Sequence, residues 1–152
     1  MAMFMAISVL CCGIFAGAAI YVNLVEHPAR IETGPASALS EWAPSYRRAT
    51  LMQAPLAIVG GLSAVGAELA GAGGAWLVGG LLLLSVVPFT LLVIMPTNRA
   101  LSAPEAAQDL SRTAALLMRW NRLHAVRTAL STVAFLLFIC LLVGHIPPVG
   151  AH

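Results

Sequence analysis

Residues 75–95 read AWLVGGLLLLSVVPFTLLVIM, and this run decides the fold. It carries no charged side chain, and its length matches the roughly 20 apolar residues that a helix needs to cross a hydrocarbon core. Working outward, three more stretches of the same kind appear. Met1 to Val25 ends just before Glu26, Ala49 to Ala67 lies between Arg48 and Glu68, and Thr128 to Gly144 follows Arg127. The pattern predicts an all-α, integral membrane four-helix bundle in a single transmembrane domain spanning residues 1–152. Its helices are expected near 3–26, 49–67, 75–95 and 105–144, the last crossing the membrane with about 125–144.

Composition agrees. Hydrophobic residues make up 60% and charged residues 9%, against about 45–50% and 25% in ordinary soluble domains. The mean hydropathy is +0.91. A disordered chain, a soluble enzyme and a secreted disulfide scaffold are excluded. The eight basic residues are all arginine, and a net charge of +2 offers no surface for neutralising a polyphosphate, so no nucleic-acid partner is expected. The first stretch lacks the basic n-region of a secretory signal peptide and reads as a span.

Arginine sets the expected orientation. Arg30, Arg47 and Arg48 lie between the first two spans; Arg99, Arg112, Arg119, Arg122 and Arg127 lie between the last two. The other side carries none. The positive-inside rule then puts two long loops in the cytoplasm and both termini outside, in a multi-pass protein of the cell membrane. Most of these arginines read as snorkelling groups, and Trp76 as an aromatic-belt residue at the opposite face. His145 and His152 read as solvent groups.

The residues between the spans predict irregular structure. Pro28 should push His27 out of the helical region and end the first helix there. Pro28, Gly34, Pro35 and Pro44 argue against long helix in the first loop, leaving room for a short turn over 36–42 capped by Ser37. In the second loop Ser102 reads as the cap of a helix starting at Glu105 and continuing to Gly144. Gly13-x-x-x-Gly17 and the small residues of the second span (Ala57, Gly60, Gly61, Ala64) predict close helix packing. Pro55 and Pro88 predict kinks. An apolar span, a Pro-x-Arg or Pro-x-x-Arg, a polar loop and a second span occur twice, which hints at an internal repeat. Cys11, Cys12 and Cys140 show no ligand or redox spacing.

The reactive groups cluster at one end of the spans. Asn23, Glu26 and His27 share a helix face by their spacing, with Arg30 just beyond. Trp120, Asn121, His124 and Arg127 form another stripe. Trp42, Tyr46 and Asn98 come from the loops, and Gln53 lies just inside the second span. Ionisable groups at membrane depth are costly and normally face a bundle interior or cavity. One shared polar pocket is therefore expected, with His27 and His124 both lining it and Glu26 paired to an arginine of the fourth helix or the loop before it. The same residues leave a second chemistry open. His27 and His124 could ligate a haem or metal ion, provided that they meet across the first and fourth helices. A third reading is a non-catalytic accessory subunit of a larger membrane complex, or a homo-oligomer.

Four blocks in order carry a resemblance. They are Gly17-x-x-x-Tyr21-Val22-Asn23-x-x-Glu26-His27-Pro28-x-Arg30, Trp42-x-Pro44-x-Tyr46-x-Arg48-Ala49, Met95-Pro96-x-Asn98-x-x-Leu101 and Trp120-x-x-x-His124-x-x-Arg127. Together they resemble the anthrone-oxygenase-like family of small membrane proteins. The resemblance implies an oxygenase acting with O2 on an apolar aromatic substrate, anthrone- or quinol-like, without an added organic cofactor. An anthrone's C10–H is acidic because its loss gives an aromatic phenolate-like anion. His124, or second His27, would take that proton. Arg127 or Arg30 would stabilise the oxyanion, and Glu26 completes the catalytic set. Trp42, Tyr46 and Trp120 would wall the substrate, and Arg30, Asn98 and Asn23 would contact it.

Overall fold

The computed structural model describes residues 1–144; His145 and His152 lie outside the described residues. Four helices are long and apolar enough to cross a membrane: α1 (Ala2–Glu32), α2 (Pro35–Leu69), α3 (Ala75–Ser102) and α4 (Leu110–Gly144). The chain is a multi-pass membrane protein. α1 and α3 each pack against both α2 and α4, which makes an up-down-up-down bundle. Its core has two halves. One is small and aliphatic around Phe15, Ala57, Ala64, Leu83 and Phe138, with Trp76. The other is aromatic around Trp42 and Trp120. The second half lies where α1 and α3 end and α2 and α4 begin, which gathers the four sequence blocks at one end.

The segment between the first two spans is helical, not irregular, apart from Thr33 and Gly34, and helix also continues through Pro96 to Ser102. α1 runs through Pro28, and His27 keeps helical angles (φ −70°, ψ −43°). The reason is a π turn over Val22–Glu26, in which the His27 N–H reaches back five residues to Val22 O. The wider turn makes room for the Pro28 ring, whose clash with the carbonyl four residues back, on Leu24, would otherwise break the helix at a cost of about 3 kcal/mol. α3 repeats the device. Thr90–Ile94 form a π turn, the Met95 N–H bonds Thr90 O, and Pro96 follows.

Only Thr33 and Gly34 separate α1 from α2. Gly34 has φ +88°, which a side chain would strain. Pro35 then falls in the first turn of α2, where a missing N–H costs nothing. Ser37 is interior to α2 and not its cap. Pro44 and Pro55 lie inside this 35-residue helix, both on its exposed face. At 1.5 Å per residue, α2 and α4 are each roughly 50 Å long and reach well beyond a ~30 Å hydrocarbon core.

The expected helix from Glu105 is interrupted. Ser102 ends α3, a 3₁₀ turn covers Pro104–Ala107, and α4 begins at Leu110. Its cap is Asp109, whose Oδ1 accepts the Arg112 N–H at 2.9 Å and the Ser111 hydroxyl at 2.7 Å. Those bonds, the Arg112 N–H first, hold the carboxyl below its usual range. The cap's contribution is therefore full above the ordinary carboxylate pKa and fades as pH falls through the lowered one.

Backbones approach closely between α2 and α3, and of the Gly13 pair only Gly13 is tightly packed, a Cβ there lying 2.8 Å from the Phe135 ring. A Cβ on Gly80 would lie 3.0 Å from Gly61 O and 2.9 Å from Ala64 Cβ, whereas one on Gly17 would meet nothing within 4 Å. Trp76 is fully buried, its ring 5.2 Å from Phe138, and is not a belt residue. Gly80→Ala should therefore destabilise the detergent-solubilised protein by about 1–3 kcal/mol, because backbone cannot rotate away as a side chain can. Gly17→Ala should leave the thermal midpoint unchanged or raise it. Equal midpoints for the two variants would refute this packing.

Candidate functional site

His124 is 2% exposed on the inner face of α4. Its Nδ1 lies 2.9 Å from Asn23 Oδ1 on α1. The orientation of that amide is fixed on its other side, where Asn23 Nδ2 donates to the backbone oxygen of Asn121 at 3.1 Å and to Asn121 Oδ1 at 2.7 Å. A backbone carbonyl only accepts, so the NH2 end must face Asn121 and the oxygen must face His124. His124 Nδ1 then has to be the donor. The Thr128 hydroxyl also reaches Asn23 Oδ1. The outcome is one tautomer: Nδ1–H is tied down and Nε2 keeps its lone pair. Among the described residues Nε2 has no hydrogen-bond partner.

His124 lines a cavity of about 20 Å³ together with Arg30, Trp42, Tyr46, Gln53, Trp120 and Arg127. That space holds one water. Trp120 stacks on His124 with ring centroids 4.9 Å apart, and Trp42 meets Trp120 edge-on at 6.1 Å. Tyr46 stacks on Trp42 at 5.1 Å. The Trp120 indole N–H donates to Asn98 Oδ1 at 3.0 Å, which fixes the ring's rotation.

The two arginines of the site differ in their partners. Arg30 is buried and paired with Glu26, and its Nε is 4.0 Å from Glu41. Ser45 also donates to Glu26 Oε1 at 2.5 Å. Arg127 has no carboxylate partner among the described residues. Among the described residues the ion pairs are those two of Arg30. Arg127 Nη2 donates to Gln53 Oε1 at 2.8 Å, its Cζ sits 5.4 Å from the centre of the Phe15 ring, and its Nε is buried without a partner. This half-buried guanidinium, held by an amide and a phenyl face, retains an uncompensated positive charge.

Several expectations need correction. Glu26 pairs with Arg30 on its own helix, four residues on, and not with an arginine of α4 or the segment before it, since Ser45 and Arg30 already occupy its carboxylate. His27 does not line the cavity. The π turn carries it inward below Val22, where Nε2 donates to Leu117 O at 3.1 Å and Nδ1 is buried without a partner. Its ring centre is 5.0 Å from Trp120. The two imidazoles are thus no further apart than two such ring contacts, yet only His124 faces open space. Asn23 and Asn98 lie behind the cavity wall and hold His124 and Trp120, respectively. Among the described residues no group of three or more His, Cys, Asp or Glu is placed to hold a metal ion.

Gln53, Thr128, Ser45 and Phe15 carry contacts that their residue types alone did not assign. Two of them had a signal. Gln53 is a buried amide inside a span, and Thr128 sits one helical turn after His124.

Two larger cavities flank the small one. Between α1 and α2 a groove of about 560 Å³ opens to the side, lined by Tyr21, Glu26, Glu41, Pro44, Arg48 and Met52 among others. Between α2 and α3 lies one of about 110 Å³. Gln53 borders all three cavities, and Arg127 borders the small one and the α2/α3 one.

A laterally open membrane bundle with a lone-pair imidazole beside an uncompensated guanidinium is the framework of a membrane acid–base site. The comparisons with known proteins name its family. The anthrone oxygenase family model matches residues 42–137, and the chain belongs to that family. An anthrone oxygenase of Claviceps purpurea is 32% identical over 136 residues, covering 80% of this chain and 78% of that one. Anthrone oxygenase dmxR16 of Cryptosporiopsis is 30% identical over 132 residues, covering 82% and 77%. Anthrone oxygenase tpcL of Aspergillus fumigatus is 52% identical over 48 residues, 30% of each chain. No solved structure matches the chain.

The tautomer is directly measurable. Nitrogen-15 spectra of histidine-labelled protein should show His124 as Nδ1–H, and Asn23→Leu should convert it to a mixture of tautomers. An Nε2–H signal in the unaltered protein would contradict the amide assignment.

Proposed function

We propose that this protein is an oxygenase that uses O2 on an apolar aromatic substrate bearing an acidic benzylic C–H, anthrone- or quinol-like, without a resident organic cofactor. The observation that carries this reading is the shared cavity of His124, with Nε2 unengaged, and Arg127, with no carboxylate partner. His124 Nε2 removes the C10 proton of an anthrone. The resulting anion is delocalised onto the ring oxygen, and Arg127 stabilises that charge. Arg30 is less suited because Glu26 already neutralises it.

The anion passes one electron to O2, and the radical and superoxide combine to form a C–O bond. The peroxide takes the proton back from His124. Loss of the remaining C10 hydrogen and cleavage of the O–O bond then release water and leave a carbonyl. Anthrone plus O2 gives anthraquinone plus H2O, with every atom and electron assigned. Trp42, Tyr46 and Trp120 wall the small cavity of His124, and His27 and Asn98 hold Trp120 in place.

The 560 Å³ groove falls in the size range of small-molecule sites, opens to the side of the bundle, and meets the His124 cavity at Val22, Ser45, Ala49 and Gln53. We place the arginine-bearing end of the bundle in the cytoplasm and both termini outside the cell membrane.

Oxygen uptake with an anthrone tests the chemistry. His124→Ala should lower kcat by about 10²- to 10⁴-fold, and Arg127→Gln by about 10²- to 10³-fold. His124→Ala turning over at the unaltered rate would remove the base from the scheme. For topology, a C-terminal reporter active only in the cytoplasm would reverse the orientation.

A further inference from the structure

The reaction needs two substrates of very different size, and the site is flanked by two cavities of very different size. The 110 Å³ cavity between α2 and α3 is too small for a fused aromatic. It is smaller than an engineered 150 Å³ apolar cavity that takes benzene or xenon. Its walls are Phe15, Ala54, Ala57, Val86, Val87 and Leu91, with Thr50 and Thr90 at its edge. Phe15, Ala57 and Val86 are at most 1% exposed, so its inner wall is shielded from lipid. One charged side chain borders it, Arg127, and Arg127 also borders the small cavity that His124 lines.

We propose that this cavity is a dioxygen-binding site, separate from the aromatic's groove between α1 and α2, which it meets at Gln53, and sharing Arg127 with the small cavity of His124. The inference rests on the oxygenase reading and adds where the second substrate waits. Ground-state O2 is neutral and apolar, so apolar walls hold it and a guanidinium contributes little. Charge appears on it only when it accepts an electron from the substrate anion and becomes superoxide. Arg127 is then adjacent, and its stabilisation acts on the charged state alone, which is the condition for acceleration rather than mere binding. Opposite faces of α2 separate the routes, so the aromatic does not block the gas.

Dioxygen is paramagnetic, which gives a readout independent of turnover. With methyl-labelled protein in detergent under a few bar of O2, the methyls of Ala57 and Val86 should relax several-fold faster than those of Ala64 and Ala134. All four are at most 1% exposed, but only the first two line the cavity. Ala54→Leu should abolish the difference by filling the cavity, and should raise KM for O2 about tenfold or more without changing KM for the aromatic. Ala18→Leu, in the groove, should do the reverse. Val87→Phe serves as the filling variant if Ala54→Leu fails to fold.

Equal relaxation at all four sites would overturn the proposal. So would a filled cavity with an unaltered KM for O2. Failure of the oxygenase reading looks different. The unaltered protein would then consume no O2 with any anthrone or quinol, while the relaxation contrast would still decide whether O2 occupies the cavity.

Discussion

A proline inside a membrane helix removes a donor where no water can replace it, and this bundle is organised around that constraint. Pro28 and Pro96 sit near the ends of α1 and α3, and in both places the chain widens by one residue before the proline. The added residue changes which side chains point inward. Counted at α-helical spacing from Val22, the inward position would be Val25 or Glu26; with the π turn it is His27. Glu26 is displaced to the rim, where it meets Ser45 and Arg30. The handling of one missing N–H thus decides which ionisable group is inside.

Neutralisation is confined to the rim. Glu26 and Glu41 lie against Arg30, and among the described residues no carboxylate pairs with Arg127. A fully buried guanidinium without a counter-ion is normally a liability of several kcal/mol. For half-buried Arg127, Gln53 and the Phe15 face reduce it without cancelling the charge. An amide partner holds the side chain's position while leaving its field available to an anion. A glutamate at position 53 would hold it equally well and switch that field off.

Much of the architecture was legible in sequence for a simple reason. Four uncharged runs bounded by Glu or Arg leave a membrane bundle little freedom, and an up-down bundle must bring the four blocks to one end. The helical state of the chain around Pro28, Pro35, Pro44 and Pro96 was not legible, because each is an ordinary breaking signal. Pro35 escapes by falling in a first turn and Pro28 and Pro96 by their π turns, while Pro44 lies on an exposed face. The stripe of Trp120, His124 and Arg127 followed from helical spacing. The partners did not. Which arginine Glu26 chooses, and which amide oxygen faces His124, depend on distances between helices that no local spacing encodes.

The two amides of the site therefore complement each other. Asn23 is locked by a backbone carbonyl of α4, so it imposes a proton on His124 Nδ1 and exposes a lone pair at Nε2. Gln53 holds Arg127 beside that lone pair without neutralising it. In the proposed reaction the base needs to be neutral to accept a proton. Once the proton has moved in that reaction, the substrate carries the negative charge that the cation was lacking, and an imidazolium stands beside it. The single charge then moves from the aromatic to dioxygen without leaving the guanidinium's reach, because Arg127 borders both the cavity of His124 and the apolar one between α2 and α3. In the proposed reaction, proton transfer and electron transfer are in this way coupled to one fixed charge, and the bundle's own side chains supply the acid–base and electrostatic parts.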